Sequence, residues 1–193
     1  SSTATDSEGN IYLAGRTAST NGISTTEAQQ VTFGGIFDGF LVKFNSNGVR
    51  QWGTYYGGSG DDCSYSTATD SESNVYLAGE TASTIGISTT GAHQEVLNNI
   101  NDGFLAKFNN NGVRQWGTYY GGTDYDYGYS VVTDLNNNVY LAGYTYSTNG
   151  ISTPGAHQVN FGGYIDAFLA KFNSNGVRQW GTYYGENGDD EGV

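Results

Sequence analysis

Short runs of apolar and aromatic residues alternate along this chain with polar, glycine-rich segments. In the middle third of the chain four such runs stand at 64–69, 75–81, 103–108 and 113–120. Turn-forming residues separate the first two runs, and Asn109-Asn-Asn-Gly112 between the last two is a strong hairpin signal, because Asn and Gly tolerate positive φ. No segment has a useful length of 3.6-residue apolar periodicity, which excludes a helical solenoid. The pattern predicts four short antiparallel strands, A to D, with one long connection between B and C.

This four-strand unit occurs three times. Asn-Gly-Val-Arg-Gln-Trp-Gly-Thr-Tyr-Tyr-Gly stands at 47–57, 111–121 and 175–185, and Tyr-Leu-Ala-Gly at 12–15, 76–79 and 140–143. Every offset is 64 residues, without insertion or deletion. Internal repetition of this kind predicts three structural repeats, at 1–64, 65–128 and 129–193, with strand A of the first one shortened.

Four short antiparallel strands per period are typical of one β-propeller blade. The strands carry apolar residues on both sides, as in Tyr-Leu-Ala and Phe-Leu-Ala, which suits blades that bury both faces against their neighbours. A β-solenoid ranks second, because its rungs are normally shorter than 64 residues. The prediction is an all-β fold of three propeller blades, either a partial propeller or half of a six-bladed ring.

The order and spacing of several short motifs point to a known family. They are Asp-Ser-x-x-Asn-Val-Tyr-Leu-Ala-Gly-x-Thr from residue 70, Ile-Ser-Thr-Thr-Gly-Ala-His-Gln from 87, Asp-Gly-Phe-Leu-Ala-Lys-Phe-Asn from 102 and Thr-Tyr-Tyr-Gly-Gly from 118. Over essentially the whole chain this pattern resembles the SBBP family of β-propeller repeats. The resemblance implies a large secreted or cell-surface protein of a bacterium and implies no enzymatic activity.

The number of repeats raises the question of partners. Propellers usually close with 4–8 blades, so three blades would leave open faces. We therefore expect the chain to pair with further copies of itself, two of which could form a six-bladed ring, or with further repeats of a longer parent chain. Both alternatives stay open at this point, and a self-contained monomer is not expected.

Composition narrows the function classes. Aromatic residues make up 15% of the chain, which a disordered protein would lack. There are 19 acidic and 7 basic residues, a net charge of −12, so the surface repels phosphate backbones and nucleic acid is not an expected partner. No run approaches 18 apolar residues, so no membrane span is expected.

The links from strand D to the next strand A are acidic. Because strands alternate in direction, we expect these links to lie on the same face as the long B–C connections. Hard oxygen ligands suit Ca²⁺, but a solvated acidic turn is the simpler interpretation, since no Asp-x-Asp-x-Asp-Gly loop with a distal Glu is present. The candidate calcium ligands are Asp61, Asp62, Asp124, Asp126, Asp189 and Asp190. No other cofactor is predicted.

Other recurring residues favour structural roles. Trp52, Trp116 and Trp180 are expected to pack between blades, because large aromatic side chains dominate core burial. Asp38, Asp102 and Asp166 open strand C and are expected to accept hydrogen bonds from backbone N–H groups. His93 and His157 are assigned to surface turns, since the first copy has Gln29 in that place. Cys63 has no partner in the chain and is interpreted as an incidental small residue.

Three functions follow from this reading. The first is a non-enzymatic scaffold or interaction module of an extracellular or surface protein. The second is a carbohydrate-binding propeller with one site per blade on the face of the long connections. The weakest is an enzyme with its site across the ring, because identical copies argue for structure and no catalytic motif stands out.

Overall fold

The computed structural model describes residues 1–192, and all regular structure in that range is β. The twelve strands are β1 (Ser2–Thr5), β2 (Ile11–Thr17), β3 (Asp38–Phe44), β4 (Arg50–Tyr56), β5 (Asp62–Thr69), β6 (Val75–Thr81), β7 (Asp102–Phe108), β8 (Arg114–Tyr120), β9 (Asp126–Thr133), β10 (Val139–Thr145), β11 (Asp166–Phe172) and β12 (Arg178–Tyr184). Within the described residues, no helix has the length and apolar character needed to cross a bilayer.

The strands form three four-stranded antiparallel sheets, each in simple sequence order: β1 to β4, β5 to β8 and β9 to β12. The predicted all-β fold of three blade-like sheets is therefore confirmed. The sheets form an open array in which each contacts its neighbour along the chain, and they do not close a ring. The division between sheets falls in the links before Asp62 and Asp126, whereas a period counted from residue 1 divides β5 and β9 internally.

Each C–D hairpin is closed by the chemistry that the sequence indicated. In the second sheet, the side-chain oxygen of Asn109 accepts hydrogen bonds from the N–H groups of Asn111 and Val113, both at 3.0 Å. Gly112 has a φ of 78°, in the left-handed region where a Cβ is unfavourable. The turn therefore forms from local side-chain bonding and one glycine, without help from the rest of the sheet.

The three sheets converge at their first strands. Ser2 Oγ accepts a hydrogen bond from Thr67 N at 3.3 Å, and Ser66 Oγ accepts the equivalent bond from Val131 N at 3.1 Å. Strand A is thus the inner strand of every sheet, and strand D is the outer one.

The long B–C connection does not stay on one face of the array, as we had expected. It runs back along the outer strand of its own sheet, where Thr89 N donates to Gly117 O at 2.9 Å and Tyr119 N donates to Gln94 O at 3.2 Å. The third sheet repeats the first bond, from Thr153 N to Gly181 O at 2.9 Å. Only the ends of each connection reach the face of the D–A links.

The apolar core lies between the sheets. We call the contact between consecutive sheets the blade joint, and divide it into a forward face on the earlier sheet and a rear face on the later one. In the first joint the forward face consists of Tyr12, Ala14, Leu41 and Tyr56, and the rear face of Val75, Leu77, Phe104 and Phe108. The second joint uses the equivalent residues 64 positions later. Each sheet thus buries both faces only where it has a neighbour on each side.

Candidate functional site

Aromatic stacking fills the centre of each blade joint. The Tyr56 ring lies 5.0 Å from the Phe104 ring and 5.7 Å from the Phe108 ring, between centroids. Its hydroxyl donates to Ile87 O at 2.8 Å. Tyr120 makes the same contacts with the third sheet, and its hydroxyl donates to Ile151 O at 2.8 Å. Burial raises the pKa of both phenols, which keeps them protonated as donors.

The three tryptophans lie at the outer border of the joints rather than at their centre. Trp52 Nε1 donates to Asn110 O at 3.0 Å, and its ring packs under the glycine of that C–D turn. Trp116 donates in the same way to Ser174 O at 3.1 Å. Trp180 occupies the equivalent place in the third sheet, where no following sheet supplies a turn within the described residues. All three side chains are half-buried.

The aspartate that opens strand C is buried and bound to the long connection. Asp38 Oδ2 accepts hydrogen bonds from Gln30 Nε2 and Gly34 N, both at 2.9 Å. Asp166 accepts the same pair at 3.0 and 2.8 Å, from Gln158 and Gly162. Asp102 accepts from Gln94 Nε2 and from Asn98 N. The expected bond to a backbone N–H is thus present in each copy.

The glutamine in this arrangement had not been singled out from the sequence. Gln94 Oε1 also accepts from Gly121 N at 3.1 Å, so one side chain joins the B–C connection, strand C and the D–A link. Gln30 and Gln158 do the same at 3.0 Å. Their recurrence after Ala-Gln or Ala-His was the only signal in the sequence, and the histidine beside them drew attention away from it.

The candidate calcium ligands fall into two groups. Asp62 and Asp126 are fully buried at the start of a strand A, whereas Asp61, Asp124 and Asp189 are exposed in the links. Asp62 Oδ2 accepts from Ser83 Oγ at 2.7 Å and Gly58 N at 2.8 Å. Asp126 binds Ser147 and Gly122 in the same way, and each carboxylate also accepts the hydroxyl of a threonine at the end of strand B.

The buried carboxylates are paired with strand C rather than with their acidic sequence neighbours. A side chain on Gly121 would collide with carboxylate oxygens of both Asp102 and Asp126. Burial raises the pKa of Asp102 to about 6 and that of Asp126 to about 7, and each N–H or hydroxyl donor partly opposes that shift. Asp102 Oδ1 is buried without a hydrogen-bond partner. The arrangement can hold a proton near neutral pH.

Asp190 is the third member of the buried series and lies at the open end. It accepts a hydrogen bond from Glu186 N at 2.9 Å and is only half-buried. Across residues 1–192, no group of three or more His, Cys, Asp or Glu side chains is close enough to hold a metal ion. Calcium binding by the link aspartates stays a prediction, and it would need amide or carbonyl oxygens in addition to these carboxylates.

The two histidines differ in environment. His93 is half-buried in the second joint, 5.9 Å from the rings of Tyr120 and Phe172, so its assignment to a surface turn is wrong. Burial, together with the nearby Arg178, lowers the pKa of His93 to about 4. His157 is exposed and lies 6.0 Å from Tyr184. The burial of His93 comes from the neighbouring sheet, which local sequence does not reveal.

The copies differ most where strands A and B meet the D–A links, on a surface that we call the mouth. Equivalent positions in strand B carry Arg16, Glu80 and Tyr144. A bulge in strand A displaces Tyr65 and Tyr129, whose rings stack at 4.4 Å and 9°. The mouth is therefore one asymmetric surface, basic at the first sheet, acidic at the second and aromatic at the third.

Cys63 lies at the mouth beside Glu80 in the strand register. It is half-buried, and burial raises the pKa of its thiol. A raised pKa lowers the fraction of thiolate at neutral pH, so this environment favours an unreactive cysteine.

Comparison with known proteins agrees with this architecture. A family model described as the SBBP β-propeller repeat matches residues 51–86 and 115–151. Each match begins in strand D of one sheet and ends in the B–C connection of the next, so it spans one blade joint. The chain is also similar to an uncharacterized WD repeat-containing protein of Acanthamoeba polyphaga mimivirus, with 26% identity over 175 residues that cover 83% of this chain and 13% of the viral protein.

The chain thus spans only a small part of that relative, and the likeness concerns the repeat and not an activity. The matched segments carry the motifs on which the resemblance was based, and the third copy repeats them at the same 64-residue offset. The resemblance predicted from the sequence is confirmed: the chain is built from β-propeller repeats of the SBBP type.

Proposed function

We propose that this chain is a non-enzymatic structural and interaction module, which acts by joining its blades to further blades in a secreted or cell-surface bacterial protein. The exposure of Tyr184 carries the proposal. This side chain is 67% exposed, whereas its counterparts Tyr56 and Tyr120 are 2% and 0% exposed within the blade joints. The third sheet thus presents a complete forward face with nothing on it.

An exposed face of this kind supports assembly, because soluble proteins rarely leave a large contiguous apolar surface uncovered. The polar groups of the joints also support a structural role. The buried aspartates and glutamines bond to backbone and hydroxyl groups that hold links and connections in place. Location outside the cell rests on the family resemblance alone.

Measurement of the solution mass over a range of protein concentrations tests the proposal. We expect a mass above the 20.6 kDa of one chain, rising with concentration towards a defined oligomer. A chain that stays at 20.6 kDa at every accessible concentration, with its fold intact by circular dichroism, would contradict it.

Carbohydrate binding is the second candidate, and the mouth favours it. Tyr127, Tyr129 and Tyr144 lie close together there, with Glu80 and Asn101 nearby, so aromatic rings stand beside groups that bond to hydroxyls. Because the copies differ at this surface, we propose one composite site instead of one site per blade. Screening against a glycan array should then find a ligand whose binding Tyr144→Ala removes and Tyr164→Ala, in an exposed loop of the same sheet, does not.

A further inference from the structure

We propose that residues 190–192 of one copy complete the first sheet of a second copy, and that two copies thereby close a six-bladed ring. The residues would extend the inner edge of the partner's first sheet, while the forward face of the third sheet packs on the rear face of that same sheet. This inference rests on the proposed function and specifies its partner, register and contacts.

The first sheet lacks half of its inner strand. β1 has 4 residues and pairs with β2 only from Ile11 to Ala14, whereas β5 and β9 have 8 residues each and reach the last residue of the adjacent strand B. In the described residues, the segment from Gly15 to Thr17 therefore has no inner neighbour. Its backbone groups on that side are free to pair with another extended segment.

The missing half has the same sequence pattern as the segment that leaves the third sheet. Asp190 stands 64 residues after Asp126, which begins β9. Its N–H donates to Ile165 O at 2.8 Å, just as Asp126 N donates to Asn101 O at 3.0 Å. The segment 190–192 is thus directed as the beginning of a further strand A, which has no strand B beside it in the described residues.

The internal register predicts which residues would meet. Asp126 pairs with Thr145 and Tyr127 with Tyr144, so Asp190 would pair with the partner copy's Thr17, and Glu191 with its Arg16. Glu191 and Arg16 are both exposed and have opposite charges. Opposite charges directly across two strands are favourable, whereas the equivalent pairs in the other sheets, Cys63 with Glu80 and Tyr127 with Tyr144, contain no such ion pair.

The hydroxyl groups that Asp190 needs are already in position. Asp62 accepts from Thr81 and Ser83, and in that sheet Ser83 N donates to Thr81 Oγ1 at 3.0 Å. Ser19 N donates to Thr17 Oγ1 at the same 3.0 Å in the first sheet, without any aspartate beside it. The first sheet therefore holds the two hydroxyls in the geometry that a link aspartate uses elsewhere.

The apolar faces match in the same register. Ile11, Leu13, Phe40 and Phe44 form the rear face of the first sheet and are half-buried, whereas their counterparts in the second sheet are fully buried in the first joint. On the forward face of the third sheet, Leu169 is 37% exposed where Leu41 and Leu105 are 0%. Tyr184 would stack on Phe40 and Phe44 and donate to Ile23 O, as Tyr120 does with its own partners.

A head-to-tail arrangement follows from these complements, because hydroxyl and indole donors lie on the forward face and their carbonyl acceptors on the rear face. Such a contact closes when the rotation between units fits a whole turn. Two copies supply six blades, within the range of 4–8 that propellers use. Each dimer then contains two identical intermolecular joints.

Charge reversal tests the register. Arg16→Glu and Glu191→Arg place like charges across both intermolecular joints, so each variant alone should dimerise about tenfold more weakly than the parent chain. An equimolar mixture of the two restores the parent pair at one joint and a swapped pair at the other, so mixed dimers should form with nearly parent affinity. Glu27→Arg, an exposed change away from the joint, is the matched control and should have no effect.

A second pair of variants tests the faces. Tyr184→Lys should leave the mass at 20.6 kDa, while Tyr164→Lys, at a position whose counterparts are exposed even between sheets, should dimerise like the parent chain. If the parent chain never assembles, the proposed function fails as well. If it dimerises but Tyr184→Lys also does, or if the charge variants show no recovery on mixing, only the head-to-tail ring is overturned. Parent oligomers larger than a dimer would also overturn the six-bladed ring.

Discussion

The same tyrosine stands at three places in the repeat, and this allows the strength of one blade joint to be measured. We consider Tyr120→Ala, in the second joint, beside Tyr184→Ala, on the open face. Tyr120 is 0% exposed and stacks on Phe168 and Phe172, and Tyr184 is 67% exposed. The two substitutions remove the same atoms from a filled and an unfilled joint.

The expected loss at Tyr120 is that of a large buried aromatic side chain, about 3–5 kcal/mol in the free energy of unfolding. Little is added for the lost hydroxyl, because its acceptor, Ile151 O, also accepts from Arg178 Nη1 at 3.2 Å and keeps a partner. At about 2–4 °C per kcal/mol for a chain of this size, the melting temperature should fall by roughly 6–20 °C. Tyr184→Ala should change the free energy of unfolding of the monomer by less than about 0.5 kcal/mol.

The assay is urea unfolding followed by tryptophan fluorescence, at a concentration where the chain is monomeric and again where it assembles. Each joint has a tryptophan at its border, so the signal reports on joint opening. A loss for Tyr184→Ala in the monomer as large as that for Tyr120→Ala would refute the reasoning, since it would mean that Tyr184 is buried. A loss below about 1 kcal/mol for Tyr120→Ala would show that aromatic stacking does not hold the blades together.

Three other predictions concern polar groups. Because burial raises the pKa of Asp126 to about 7, above the value of about 3.9 for an unfolded chain, the folded state binds the proton more tightly, and stability should fall as pH rises from about 4 to 7; the urea midpoint should be higher at about pH 5 than at about pH 8, and Asp126→Asn should reduce that difference. Gln94→Ala leaves the buried N–H of Gly121 without its acceptor and should cost about 1–3 kcal/mol in thermal unfolding, whereas the exposed Gln115→Ala should cost almost nothing. The thiol of Cys63 should react with a disulfide reagent at neutral pH more slowly than free cysteine and should reach the normal rate in urea, because burial raises its pKa; fast reaction in the folded chain would contradict that environment.

Local pattern was sufficient to predict most strands. β6 lies at Val75–Thr81 as expected, and β7 and β8 begin one residue from the predicted positions. β5 begins earlier than predicted, at Asp62, because a bulge at Tyr65 lets the strand continue past the point where the alternation breaks. Periodicity and turn residues are local properties, so the sequence contains them directly.

Contacts between distant residues were the part that pattern did not reveal. Asp61 and Asp62 were expected to act together, but neighbouring residues of an extended segment point to opposite sides, and only Asp62 turns inward to meet Ser83 and Thr81. The path of the B–C connection was also missed, since its pairing depends on Gln94 and on strand D, more than 20 residues away. These contacts are set by how sheets pack, which no short motif records.

The path of the long connection has a consequence for solubility. The outer strand of an open sheet offers unpaired backbone groups that can recruit strands from other molecules and begin aggregation. In the second sheet, the bond from Thr89 to Gly117 and that from Tyr119 to Gln94 occupy part of this edge with the chain's own backbone. A protein built from many such repeats can therefore be present at high local concentration without its sheets merging sideways into fibres. Shortening the connection would remove this protection before it weakened any sheet.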